Sequence, residues 1–376
     1  MNKSESYDLT YVTIDSLAEG VGSSQITPLI TRLSQAGLKI CLISYEKSKP
    51  ALHLQDYFNA HGVNWVSKTF GSSGFTGGLQ RLNDLRGEIP KTKLIHARSD
   101  IPAVSSIFSN EAPVLWDVRS LWADQKILIQ KSNLNNSLYK LYRGLESIAA
   151  TKSAGMSTLT SAVVPILEQR HRRLPILRTV IPTTVDLNRF KLVSKMPSMF
   201  KALFSGTYNE YYDLELSKLF MDEFRKRCAI VTDWARPPES EKNHIGVGEA
   251  RIFPSPQTGM AEVIPQYSFG VSICKLDAGP SLAAAMPTKI AEFLACGRPI
   301  VVNRGLGDMD MLIEEFNIGV ILDGNPTNLS AGIEKMLELI SDPETPFRCR
   351  AVAEQHFNMD LASKKYRELY TQMLRV

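Results

Sequence analysis

The sequence predicts an α/β protein of two domains, each organised around a doubly wound parallel sheet. Three observations carry the prediction. The chain has 376 residues, and a domain takes roughly 100 to 200. Short apolar runs alternate with amphipathic stretches, the pattern of parallel strands joined by crossover helices. The segment RTVIPTTVDLNRF (178–190) interrupts that alternation with a Pro and an Asp/Asn-rich turn, and a second series of strand-like runs begins after it.

The first series opens with the apolar run Leu9 to Ile14, a Gly/Ser loop from Glu19 to Ser24, and an amphipathic stretch from Ile26 to Gln35 that Gly37 stops. The run Leu38 to Ser44 completes a βαβ unit. Lys93 to His96, Val114 to Trp116 and Gly155 to Thr160 read as further strands, and Ser137 to Ala150 as a helix. Residues 1–190 are therefore expected to form one domain and 191–356 a second. In the second, Lys201 to Ser205, Ala229 to Thr232, Ala250 to Phe253, Phe269 to Cys274 and Pro299 to Asn303 are the candidate strands. Pro287 to Cys296 is its strongest helix, with Pro at the start and Gly297 placed to end it. A last amphipathic helix, Met359 to Leu374, falls in residues 357–376.

Composition excludes several classes. Hydrophobic residues at 44% and charged residues at 22% suit a globular core. A net charge of +4 suits an anionic ligand or membrane surface, and no nucleic-acid motif accompanies it. The five scattered cysteines read as reduced core thiols, neither a disulfide frame nor a metal site. Met1 to Thr10 lacks the apolar stretch of a signal peptide, and no run of about 18 apolar residues is present, so a cytoplasmic location is expected.

Five segments carry chemistry. In EGVGSSQI (19–26), Gly20 and Gly22 allow a tight turn whose following helix offers N–H groups to an anion; a plain βα turn fits equally. IHARSDIP and WDVRSLWADQ end adjacent strands with His96, Arg98 and Ser99, and with Asp117 and Arg119. Polar groups there suit ligand binding: Asp117 to orient or deprotonate a hydroxyl, Arg119 to hold a phosphate or carboxylate. A salt-bridge pair is the ordinary alternative. LFSGTYNEYYDLE opens the second domain with Gly206 and Thr207 at a turn that could approach a phosphate. SICKLDAGPSLAAAMPTKIAEFLACGRPIVVNRGLGDMDML is the richest segment: Lys275 at a strand exit, then Pro287, Thr288, Lys289 and Glu292 at a helix start. Two lysines and a helix N-terminus make a diphosphate cradle, and Glu292, on the face of Lys289, could accept ribose hydroxyls. Its bland counterpart is an exposed helical ion pair. RGLGD (304–308) adds a second glycine turn, at Gly307, with exposed N–H groups. A separate arginine cluster, Arg170, Arg172, Arg173 and Arg178 in EQRHRRLPILR, suits peripheral contact with an anionic membrane or simple solvation.

These motifs together resemble bacterial family 4 glycosyltransferases, from GVGSSQITPLITRLSQAGLKICLISYE through IHARSDIP, WDVRSLWADQ and LFSGTYNEYYDLE to PTKIAEFLACGRPIVVNRGLGD. The resemblance implies a GT-B fold, two Rossmann-like domains facing an interdomain cleft, with the last helix returning to the first domain. It implies a hexosyl-type, retaining, metal-independent transferase. Its co-substrate would be a nucleoside-diphosphate sugar, with no other cofactor. The acceptor would be a glycan, lipid-linked or small molecule, in surface polysaccharide or glycoconjugate synthesis. Carried over by position, Glu292 matches the ribose-binding glutamate, and Gly22 the loop that approaches donor phosphate and acceptor.

The chain departs from the family in three places. The family's E-x7-E pattern would need a glutamate at 284, where Ala284 stands, with Asp277 in the same loop as a replacement. The arginine and lysine that follow the second domain's first glycine are replaced by Thr207 and Tyr208, leaving Lys275 and Lys289 to supply the charge. The family's catalytic-site histidine aligns nearest Arg98, not His96. Lys289, Lys275, Asp117 and Arg98 are accordingly the expected catalytic groups. The rival readings are a nucleotide-sugar epimerase or hydrolase of the same fold, and a catalytically idle nucleotide-sugar-binding protein.

Overall fold

The computed structural model describes residues 6–72, 74–109, 111–129, 136–207, 209–236, 250–254 and 259–375. Tyr208 lies outside them. The chain divides into two compact units. One comprises Met1–Ala123, Asn133–Ile181 and Met359–Val376; the other comprises Asp124–Ser132 and Pro182–Asn358.

The first unit holds β1 (Tyr7–Val12), β2 (Ile40–Glu46), β3 (Val63–Thr69), β4 (Thr92–Arg98), β5 (Val114–Val118), β6 (Gly155–Thr158) and β7 (Leu177–Val180). They form one sheet in the order β3-β2-β1-β4-β5-β6-β7, with every pairing parallel. Its core packs Leu29, Ile30 and Leu33 of the helix Thr27–Gln35, and Tyr366, Leu369 and Met373 of the helix Met359–Met373, with Leu9, Tyr11, Leu42 and Leu115 of the strands.

The second unit repeats the scheme with β8 (Lys201–Ser205), β9 (Val231–Arg236), β10 (Arg251–Pro254), β11 (Phe269–Ser272), β12 (Ile300–Asn303) and β13 (Gly319–Leu322). Its order is β10-β9-β8-β11-β12-β13, again wholly parallel. Both units are doubly wound α/β domains. Three strands are not among the candidates read from the sequence, β3, β7 and β13, and each lies at an edge of its sheet. Along β3 buried and exposed residues interleave, so no continuous apolar run marks it. β13 is only four residues long.

The helix Thr288–Ala295 is fixed from both ends. Pro287 precedes its first turn. At its end Gly297 takes φ +78°, while the Gly297 and Arg298 N–H groups donate to Leu294 O and Phe293 O at 3.0 and 2.9 Å. That pattern is a Schellman stop. Its depth on the sheet depends on Gly270 of β11, where an added Cβ would sit 2.4 Å from the Phe293 ring. Gly270→Ala is therefore expected to destabilise the chain by about 1–3 kcal/mol through overpacking. A second change, Phe293→Leu, should recover part of the loss; urea unfolding of single and double variants measures both.

Candidate functional site

In open parallel sheets, ligands gather beyond the carboxyl ends of the strands where the strand order reverses. That point lies between β1 and β4 in the first unit and between β8 and β11 in the second. The sequence-predicted residues fall at or next to these two places.

In the first unit the register sets Tyr11 opposite His96, Arg98 opposite Asp117 and Asp117 opposite Ser157. His96 and Arg98 are two residues apart, so they share a face of the sheet. Asp117 is 1% exposed. Its Oδ2 accepts from Arg119 Nε at 2.6 Å, and its Oδ1 from Ser157 Oγ at 2.7 Å and Tyr366 Oη at 3.3 Å. His96 Nε2 lies 3.1 Å from Oδ2, and its Nδ1 lies 2.6 Å from Tyr370 Oη. Burial alone would raise the Asp117 pKa, but Arg119, then His96 and Arg98, outweigh it and hold the carboxyl well below the ordinary carboxylate range. Burial lowers the His96 pKa despite the adjacent carboxylate. A carboxylate so stabilised is a poor proton acceptor. Its geometry suits holding Arg119, His96 and the tyrosines in place. Ser99 follows at φ +77°, a left-handed conformation that costs a non-glycine residue about 1–3 kcal/mol. Its N–H donates to Asp117 O at 2.9 Å.

The loop after β1 is held by two side chains. Arg98 Nε donates to Asp15 Oδ2 at 2.8 Å. Glu46, buried at the end of β2, accepts from Ser16 Oγ at 2.6 Å, Leu17 N at 3.0 Å and Ser44 Oγ at 2.6 Å. Gly22 is required where it stands, since a Cβ would fall 1.9 Å from Ser16 O. Glu46 was not a sequence candidate. Its only signal there is an acid closing the apolar run ICLISYE.

In the second unit, Gly206 follows β8 at φ +85°, and its N–H donates to Ala235 O at 2.9 Å. Lys289 Nζ lies 3.9 Å from where a Gly206 Cβ would stand and 4.3 Å from the centroid of the Tyr212 ring. Lys289 and Glu292 are each 6% exposed. An exposed ion pair is thus not what the helix carries. Burial pushes the Lys289 pKa down to about 7, against the opposing pull of Cys274 and Glu292. Arg236 ends β9, one residue past Ala235, and is buried with its guanidinium 4.9 Å from the Trp234 ring centroid. The Trp234 Nε1 donates to Gly206 O at 2.9 Å. One indole thus links Arg236 to the turn that Lys289 approaches. Sequence reading missed Arg236 because it ended this strand at Thr232, whereas β9 runs on to Arg236.

Pro287 and Thr288 are half-buried at the helix start, Thr207 is exposed, and Lys275 is half-buried with its N–H on Tyr211 O at 3.0 Å. Asp277 is exposed, and Ala284 is 2% exposed. The turn at Gly307 corrects an expectation. The Gly307 N–H donates to Leu282 O at 3.1 Å, and the Gly305 N–H to the Asp310 carboxylate at 3.0 Å. Both donors are consumed within the fold, so this turn does not present them to a ligand.

The fold defines the class: two wholly parallel α/β domains of the GT-B type. Among similar solved structures is sucrose-phosphate synthase from Thermosynechococcus elongatus, with a TM-score of 0.70 and 12% identity over 98% of this chain and 99% of that one. A glycosyltransferase from Rickettsia africae ESF-5 matches at TM-score 0.69 and 15% identity, over 98% and 99%. Anabaena HepE in complex with UDP-glucose matches at 0.68 and 10%, over 97% and 100%. No protein-family model matches the sequence, and no curated protein matches it.

The buried Asp117 cluster carries a stability prediction. Asp117→Asn leaves Arg119 without its counter-charge and should cost about 3–5 kcal/mol. Urea unfolding at neutral pH reads the loss.

Proposed function

We propose that the chain is a hexosyl-type glycosyltransferase that moves a sugar from a nucleoside-diphosphate sugar to an acceptor hydroxyl with retention. Its setting is surface polysaccharide or glycoconjugate synthesis. The observation that carries the reading is the buried Lys289 ammonium beside the Gly206 turn, at the start of the helix Thr288–Ala295 and at the strand reversal. A cation, a helix N-terminus and a glycine turn are what a diphosphate needs. Structures of the same fold support it: HepE was crystallised with UDP-glucose, and WaaG is a glycosyltransferase of lipopolysaccharide biosynthesis.

In this reading Lys289 and Arg236 face the donor diphosphate, Lys275 adds charge from the strand exit, and Glu292 accepts from the ribose hydroxyls. The bond between the anomeric carbon and the terminal phosphate oxygen breaks, and its electron pair leaves on the diphosphate. The acceptor oxygen bonds to that carbon and passes its proton to the departing diphosphate oxygen. Cationic stabilisation of the departing diphosphate is the main catalytic contribution, with side chains in place of a metal. The acceptor, a glycan, lipid-linked or small molecule, binds the strand ends of the first unit near Arg98 and Arg119. The buried Ala284 favours a second reading, a binding protein without turnover, because no carboxylate stands there to meet the sugar.

Lys289→Ala should lower turnover roughly 10²–10³-fold with the fold intact. Donor consumption assayed with and without acceptors tests the reading. Near-wild-type activity removes Lys289 from the mechanism, acceptor-independent conversion selects an epimerase or hydrolase, and binding without conversion selects the idle protein.

Binding should also depend on pH with a definite sign. Below about pH 7 Lys289 is already protonated, and above it the unliganded side chain is neutral and must gain a proton to grip the diphosphate. Affinity for UDP should therefore fall roughly tenfold per pH unit above about 7.5, with proton uptake on binding. Titration calorimetry in buffers of different ionisation heat measures that uptake. Lys289→Arg keeps its charge and should flatten the profile.

A further inference from the structure

A cavity of 640 Å³ opens in the first unit, at the opposite end of the sheet from Arg98 and Asp117. Pro113, Ala154 and Leu177 line it, at the starts of β5, β6 and β7. Its apolar wall includes Leu174 and Met373, and its charged lining residues are Lys152 and Arg173, with no acidic side chain. On the same rim Ile176 stands 87% exposed. Phe108, 51% exposed, lies beneath Lys152, whose Nζ is 5.9 Å from its ring centroid.

The structure also sorts the arginine cluster beside this cavity. Arg178 pairs with Glu168 at 2.8 Å, and Arg170 lies 3.7 Å from Glu146. Arg172 and Arg173 are exposed and make no ion pair among the described residues. An exposed isoleucine just before β7, an apolar hollow beside it, two cations in a lining that holds no acid, and Arg172 next to them match an amphiphile with an anionic head. A nucleic acid would leave the isoleucine and the apolar wall unmatched.

We propose that this cavity and its rim dock the chain on an anionic phospholipid surface, with Ile176 entering the acyl boundary while Lys152, Arg172 and Arg173 face the headgroup phosphates. The contact is peripheral, since no helix among the described residues is long and apolar enough to cross a membrane. Each cation near such a surface strengthens binding about fivefold, and the apolar tip adds the depth that charge alone does not give. The proposal is independent of the sugar-transfer reading, and its test uses no donor.

The test is flotation of the full chain with phosphatidylglycerol vesicles and with phosphatidylcholine vesicles, at low and high salt. Wild type should float with the anionic vesicles at low salt and not with the neutral ones. Ile176→Glu should abolish flotation, and Arg172→Glu with Arg173→Glu should reduce it at least 25-fold, each charge removed counting about fivefold. Urea unfolding confirms that these surface variants fold as wild type does. No flotation of wild type, equal flotation with neutral vesicles, or undiminished flotation of Ile176→Glu would each overturn the proposal. Retention on polyglutamate without vesicle binding would overturn it too, in favour of an acidic protein partner.

Discussion

A parallel sheet brings the carboxyl ends of all its strands to one edge, and everything chemical in this chain follows from that constraint. Residues far apart in sequence arrive side by side because their strands stop at the same level. Arg98, Asp117 and Ser157 form a row only because β4, β5 and β6 run in register. Gly206 and Arg236 neighbour each other because β8 and β9 do. The strand order reverses once in each unit, and the loops diverge there to leave room for a ligand.

The two reversal points treat buried charge in opposite ways. In the first unit an anion is embedded among cations and hydroxyl donors, which hold the Asp117 carboxyl in its charged form. The cluster ties the terminal helix to the sheet through Tyr366 and Tyr370. In the second unit a cation is buried over an aromatic ring, and desolvation works against its charge. An anionic ligand would relieve that penalty. The first arrangement organises a surface and the second is suited to receiving charge.

Much of the architecture is legible in the sequence. Interior strands of a parallel sheet are apolar on both faces, so runs such as Leu38 to Ser44 announce themselves. Pro287 and Gly297 bracket the helix between them by backbone preference alone. β3, at a sheet edge, escapes because its buried and exposed residues interleave and leave no apolar run. The candidate site is legible where residues sit on one local element, as Lys289 and Glu292 do. It is not legible where partners come from distant segments. Nothing near Asp117 in sequence foretells Tyr366, and nothing near Gly206 foretells Arg236.

The sequence by itself determined the alternating α/β plan, the helix that carries Lys289 and the glycines that turn the chain, because periodicity and backbone preference are local properties. Only the tertiary structure decided which polar groups are spent and which face outward. It buried Asp117 under its partners, used up the Gly307 N–H within the fold, and left Ile176 and its neighbouring arginines at the surface. Burial and pairing depend on segments the local sequence cannot specify, and they set each group's charge and access.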